Sequence, residues 1–258
     1  MKLLLTSDLH GRRDQYRWIL EHACEFDLVC IVGDLLDAFD ERGTSKQIQE
    51  VIQFVDEMKR LSVPLALCSG NHDAEDIHPH ACAYSTATAN WLETVAGESV
   101  AIDGQSRLFG PVGDRLLVTC LPYDYGHLDS QSLDEMWAEG FSHHRMLNVP
   151  WLVLHHEPPM NSLIGGDYGS LWLSERVAMQ PCRYLACGHM HSRPYEADGH
   201  WADRIDSTWC FNPGRPEASP IGMAPNYVVL DTSTRIASWN FWDESTAQFQ
   251  TQTLQLNE

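Results

Sequence analysis

Residues able to hold a hard metal ion recur five times along this chain, each time at the end of an apolar run. The segments are Asp8-Leu9-His10, Gly33-Asp34, Gly70-Asn71-His72-Asp73, His155-His156-Glu157-Pro158-Pro159 and Gly188-His189-Met190-His191. Carboxylate, amide and imidazole donors suit Zn, Mn, Fe or Co better than a thiolate-seeking ion. In Asp-x-His and His-x-His, alternate side chains of an extended strand end point the same way, so each pair reaches one cluster together. Roughly seven or eight donors exceed what a single tetrahedral zinc accepts. They suit two ions about 3.5–4 Å apart that share a carboxylate, an arrangement that clamps the attacking and leaving oxygens of a phosphoryl displacement.

The elements that must position these donors are legible as well. The runs feeding them are residues 2–6, 28–32, 64–68, 151–154 and 183–187. Continuous apolar runs of this length read as strands buried in a sheet, and in layered α/β proteins ligand sites gather at strand C-terminal ends. Residues 12–25 and 44–61 read as amphipathic helices. In the second, Ile48, Val51, Ile52, Val55 and Met58 recur at helical spacing. Residues 85–96 are a third candidate helix. From Ser99 onward short strands with Gly and Pro turns take over, at 107–109 and 116–121 and later at 209–211, 226–230, 235–241 and 248–256. Helix–strand alternation followed by strand succession predicts an α/β architecture of two sheets face to face, flanked by helices, in one domain over residues 1–258. Residues 123–145 carry Tyr123, Tyr125, His127, Trp137, His143 and His144 and fit no core strand, so they read as a lid or substrate-recognition insert.

The five motifs, in this order between residues 8 and 191, resemble the motif set of the calcineurin-like metallophosphoesterase superfamily. The resemblance implies a four-layer α/β/β/α sandwich of two mixed sheets. It also implies a phosphoester hydrolase with two divalent or trivalent transition-metal ions (Mn, Fe, Zn or Co) and a hydroxide between them as nucleophile. Carried over motif by motif, Asp8, His10 and His191 hold the first metal, Asn71, His156 and His189 the second, and Asp34 bridges both. His72 then faces the substrate, stabilising phosphoryl charge and protonating the leaving group. His156, two residues before Pro158, matches the family's ligand position. His155 also ends the apolar run, and strand alternation lets only one of the two face the metals without a bend. Asn212-Pro213-Gly214 resembles a triplet of relatives and reads as support for the rim of the site.

Some relatives keep the fold as binding scaffolds without hydrolysis, but they usually lack a ligand or the catalytic His; here all are present. The segment Gly-Asp-Leu-Leu-Asp-Ala-Phe departs from the Gly-Asp-x-Val-Asp-Arg-Gly of protein Ser/Thr phosphatases. Asp37 stands where purple acid phosphatases carry a metal-binding Tyr, so an iron–tyrosinate site is not expected. Hydrolysis of a small phosphodiester or phosphomonoester is the expectation that remains.

Taken singly, each motif also has a structural explanation. Asp8 and Asp34 suit helix N-caps, Gly-Asn-His-Asp suits a turn, and His155-His156 suits a strand stopped by proline. Asp37 and Asp73 read as bracing or capping groups beside the motifs. The composition, 258 residues with 43% hydrophobic and 21% charged, is that of an ordinary globular chain. Eight cysteines without a Cys-x-x-Cys read as reduced, mostly buried thiols. No apolar stretch approaches the ~18–20 residues of a membrane span, and residues 1–6 are too short for a signal sequence, so a cytoplasmic location is expected. The net charge of −19, with no basic run, disfavours long nucleic acid. A small phosphoester fits better, because two divalent ions against Asp8, Asp34 and a hydroxide leave the site cationic by about one unit. Arg12, Arg13, Arg193 and Arg215 lie close to the motifs and add to this.

Overall fold

The first three apolar runs become β1 (Lys2–Thr6), β2 (Leu28–Val32) and β3 (Leu65–Cys68) in a computed structural model that describes residues 1–75, 88–125 and 130–257. Helix α1 (Arg13–His22) and helix α2 (Thr44–Leu61) connect them. There follow β4 (Val100–Ala101), β5 (Ser106–Phe109), β6 (Leu116–Cys120), α3 (Ser130–Leu147), β7 (Trp151–Leu154), α4 (Leu171–Met179) and β8 (Tyr184–Ala186). The chain closes with β9 (Ala202–Ile205), β10 (Thr208–Phe211), β11 (Tyr227–Asp231), β12 (Ile236–Asp243) and β13 (Gln248–Gln255).

One sheet has the order β13-β12-β11-β1-β2-β3-β4 and the other β5-β6-β7-β8-β10-β9. Both are mixed. Strands β1 to β4 run parallel, with β11 antiparallel to β1 and Lys2 opposite Asp231. Strands β6, β7, β8 and β10 are likewise parallel. Side-chain alternation then sorts the apolar residues into three cores. Leu3 and Leu5 join Val32, Leu152, Phe211 and Trp239 between the sheets. Leu4, pointing the other way, packs with Ile19, Val51, Val55 and Leu67 under α1 and α2. Trp137, Val153, Leu173 and Leu185 form the third core under α3 and α4. The result is the α/β/β/α sandwich expected from the motifs. All five motif loops leave strands at their C-terminal ends, where parallel neighbours bring them together.

The helix read over 12–25 ends at His22 and closes with a 3₁₀ turn, Ala23–Glu25; α4 and β9 have no counterpart in the sequence reading; and two further stretches take another form. Of residues 85–96, the first three lie outside the described residues, and Asn90–Val95 forms a 3₁₀ helix and not an α-helix. Thr88, Asn90 and Thr94 have low helix propensity and Gly97 follows, so the piece is too short to propagate. Residues 130–147 are not a lid. They form α3, whose Trp137 is fully buried with its ring 5.0 Å from that of Trp151. Gly140 lets the helix settle on the sheet, since a Cβ there would lie 2.7 Å from Trp151 Cζ2. That glycine and the interspersed polar residues blur the helical period in the sequence. His127 lies outside the described residues. Seven cysteines are free in the described residues, six of them buried. Among the described residues no helix is long and apolar enough to cross a membrane.

Candidate metal site

The loops after β1, β2, β3, β7 and β8 are laced together by backbone bonds before any side chain is considered. Asp8 N–H donates to Gly33 O at 3.1 Å, His10 N–H to Asp34 O at 2.9 Å, and Gly188 N–H to His156 O at 2.9 Å. Asp73 ties two further loops, accepting from Leu36 N–H at 2.8 Å and Gly70 N–H at 2.7 Å. Gly33 and Gly70 are required for space. A Cβ on Gly33 would collide with the His156 imidazole, and one on Gly70 with the Asp34 carboxylate.

The side chains converge as two groups. In the first, His191 Nε2 lies 2.9 Å from Asp8 Oδ1 and 3.2 Å from His10 Nε2. The ligand atoms of Asp8, His10, Asp34 and His191 all fall within 4.8 Å of one another. In the second, Asn71 Oδ1 lies 2.9 Å from His189 Nδ1 and 3.2 Å from His156 Nε2. Asp34 Oδ2 stands between the groups, 3.5 Å from His10 Nε2 and 3.3 Å from His156 Nε2. All seven residues singled out from the sequence are therefore brought to one place.

The chemistry of this donor set fits metal ions. Asp8 and Asp34 are almost wholly buried side by side, and no Lys or Arg pairs with either among the described residues. Burial alone would raise the Asp8 carboxyl; the neighbouring His191 and His156 instead hold it well below the usual range. Burial pushes His10 down to about 4 and His189 to about 4, so both are neutral imidazoles at neutral pH. Against burial, the carboxylates of Asp34 and Asp8 push His156 up to about 10 and raise His191, so these two give up a proton when a metal binds. Ionised carboxylates and neutral imidazoles are the forms that bind metal. The backbone is also strained here. Asp8, His10, Asp34 and His189 have φ of 56°, 45°, 51° and 67°. Left-handed backbone at non-glycine residues costs about 1–3 kcal/mol each and clusters at functional sites.

The adjacent histidines take opposite sides. His156 Nε2 faces Asn71 and Asp34, while its Nδ1 donates to Val32 O at 2.8 Å, fixing the tautomer. His155 turns away from the cluster and is buried, with Nδ1 2.9 Å from Glu157 O and its ring 6.1 Å from that of Trp172. His72 packs edge-on against His10 with ring centroids 4.5 Å apart, and its side chain remains partly open to solvent. Its Nδ1 accepts Ala38 N–H at 3.2 Å and lies 3.7 Å from Asp37 Oδ1. The Ala38 amide thus holds His72, Asp37 instead capping Phe39 N–H, while Asp73 braces the loops.

Asn212 supports the rim from below, donating to Met190 O at 3.1 Å and accepting from Gly214 N–H at 2.9 Å. Of the arginines near the motifs, Arg12, Arg13 and Arg193 are committed to Asp14, Glu50 and Glu196. Arg215 is partly buried with no carboxylate partner among the described residues, in the field of Asp8, Asp37 and Asp34. Two tyrosines placed in the supposed insert also adjoin the site: Tyr125 Oη donates to Gly70 O at 2.6 Å, and the Tyr123 ring lies 6.4 Å from that of His189. Asp103, which accepts Ser69 N–H at 2.9 Å beside this loop, carries no motif and was not legible in the sequence.

The chain belongs to the calcineurin-like phosphoesterase family, whose pattern its residues 1–193 match. Comparison with curated protein sequences gives no match. Among solved structures it is similar to TT1561 of Thermus thermophilus, with a TM-score of 0.61 and 14% identity over 97% of each chain. It is also similar to purple acid phosphatase PPD1 from yellow lupin (Lupinus luteus) seeds, with a TM-score of 0.55 and 14% identity over 98% of this chain and 53% of that one. The calcineurin-like phosphoesterase YfkN from Bacillus subtilis gives a TM-score of 0.52 and 12% identity, covering 99% of this chain and 90% of that one. At these identities the likeness is one of fold.

Proposed function

We propose that the protein is a dinuclear-metal phosphoester hydrolase acting on a small substrate. The observation that carries this reading is the placement of Asp34 Oδ2 between His10 Nε2 and His156 Nε2, at 3.5 and 3.3 Å. A carboxylate shared by two donor groups is what a two-ion site needs, with Asp8, His10 and His191 completing one half and Asn71, His156 and His189 the other. Ions held there supply Lewis-acid charge to phosphoryl oxygens and acidify water. Elemental analysis of fully loaded protein should approach two ions per chain. A maximum of one at full activity would refute the two-ion site. Asp34→Asn is expected to lower occupancy in both halves, because its carboxylate borders both.

The remaining roles fall to the chain's own groups. With Nδ1 accepting the Ala38 amide, the His72 ring carries its proton on Nε2, from which the leaving oxygen can be protonated. The Ala38 amide fixes the ring's orientation. Arg215, with no carboxylate partner among the described residues, can grip a phosphoryl oxygen on the side of His191, whose carbonyl accepts its backbone N–H at 3.0 Å. Arg215→Met is therefore expected to raise KM by about 10–100-fold, the scale of a lost charge-assisted hydrogen bond, with metal content unchanged. An unaltered KM would exclude this role. With a net charge of −19 the substrate is small, since a long polyanion is repelled where a compact one is held locally.

A further inference from the structure

A cavity of about 990 Å³ opens at the pole of the molecule opposite the metal-ligand cluster. Its lining comes from residues preceding β6, β7 and β8, from the C-terminal end of α3, and from the turn between β11 and β12. The candidate metal ligands follow β7 and β8, so at least one strand length separates the two places, about 13 Å for a four-residue strand. The volume lies in the range of small-molecule sites and far exceeds a single inorganic ion.

Four guanidinium groups line this cavity: Arg115, Arg145, Arg183 and Arg235. They are drawn from only 17 Lys and Arg in a chain of net charge −19, so their gathering runs against the overall balance. Among the described residues, Arg115, Arg145 and Arg183 make no ion pair. Arg145 and Arg183 lie over the rings of Phe141 and Tyr184, at 5.7 and 5.9 Å, contacts that steady a guanidinium without consuming its hydrogen-bond donors. The single acid in the lining, Asp114, already accepts from the Met1 ammonium at 2.7 Å. A monoanion would leave most of the charge of Arg115, Arg145 and Arg183 uncompensated; a ligand bearing several acidic oxygens would compensate it through bidentate contacts. Val112 and Leu147, both exposed, offer an apolar rim to an uncharged body.

We propose that this cavity binds a compact organic polyphosphate of nucleotide size, at a site separate from the metal-ligand cluster. Arg115 and Arg183 immediately precede strands of one sheet and Arg235 a strand of the other, so such a ligand would bridge the two sheets at the end where no motif loop does. The proposal is independent of the hydrolase reading. Its test is calorimetric titration of ADP and of pyrophosphate into chelator-treated, metal-free full-length protein at about 0.15 M salt, where loose surface attraction is screened. ADP is expected to bind saturably, one per chain and more tightly than pyrophosphate. The Arg115→Gln/Arg145→Gln variant, altered at two exposed positions, should bind at least about tenfold more weakly with an unchanged thermal midpoint. His156→Ala should leave ADP binding intact. Absence of saturable ADP binding, equal binding by the double arginine variant, pyrophosphate binding as tight as ADP, or loss of binding in His156→Ala would each overturn the proposal.

Discussion

His72→Ala is expected to retain two metal ions per chain yet lose about 10²–10⁴-fold in turnover, the usual scale for a general acid. Metal retention follows from geometry. The His72 ring abuts His10, and the ligand atoms of His10, Asp37 and His72 fall within 4.8 Å of one another. His72 nevertheless lies outside the donors grouped around Asp34, and its Nδ1 is engaged by the Ala38 amide at 3.2 Å. The loss should depend on the leaving group. A poor one such as an alkoxide needs a proton and should suffer fully, whereas nitrophenolate departs unaided and should suffer little. Turnover of paired alkyl and nitrophenyl phosphoesters, with elemental analysis alongside, checks both parts. Equal losses across the pair would reassign His72 from proton donor to phosphate holder.

The second large effect separates two neighbours in sequence. His156→Ala should weaken the ion in the Asn71–His189 half by roughly 10²-fold or more and abolish most activity, since it removes a donor and not merely its support. His155→Ala should barely alter metal content. Its cost should appear in stability, on the order of 1–3 kcal/mol, because a buried imidazole bonded to Glu157 O is lost and a gap opens beside Trp172. Metal titration and thermal midpoints for both variants would show the two effects apart. A metal-binding defect in His155→Ala as large as in His156→Ala would mean that the loop after β7 rearranges around the ions.

Much of the first half of the fold was legible because each run carries a clear period. Thr44–Leu61 is bounded as the sequence pattern predicts, its stripe of Ile48, Val51, Val55 and Met58 being unbroken. Runs such as Leu28–Val32 are apolar throughout because they are covered on both faces. Helix α3 escaped recognition for the opposite reason. Gly140 lowers its helix propensity while serving a close approach to Trp151 that only the folded chain reveals. Strand β9, with one buried residue in four positions and two charged ones among them, was too short and too polar to signal itself.

The sequence by itself determined which donors exist, their order and the strand end to which each belongs, because oxygen and imidazole groups after apolar runs are a local property of the chain. It also limited the adjacent histidines to one facing inward, by strand alternation. Only the tertiary structure decided which of the four nearby arginines stays unpaired, since Asp14, Glu50 and Glu196 claim three of them through folding. It alone set Asp34 between the two halves and turned His155 towards Trp172. It alone gathered four arginines, far apart in sequence, around one cavity at the opposite pole. Such juxtapositions depend on which strands become neighbours and on how the two sheets face each other, and no local pattern of residues encodes that.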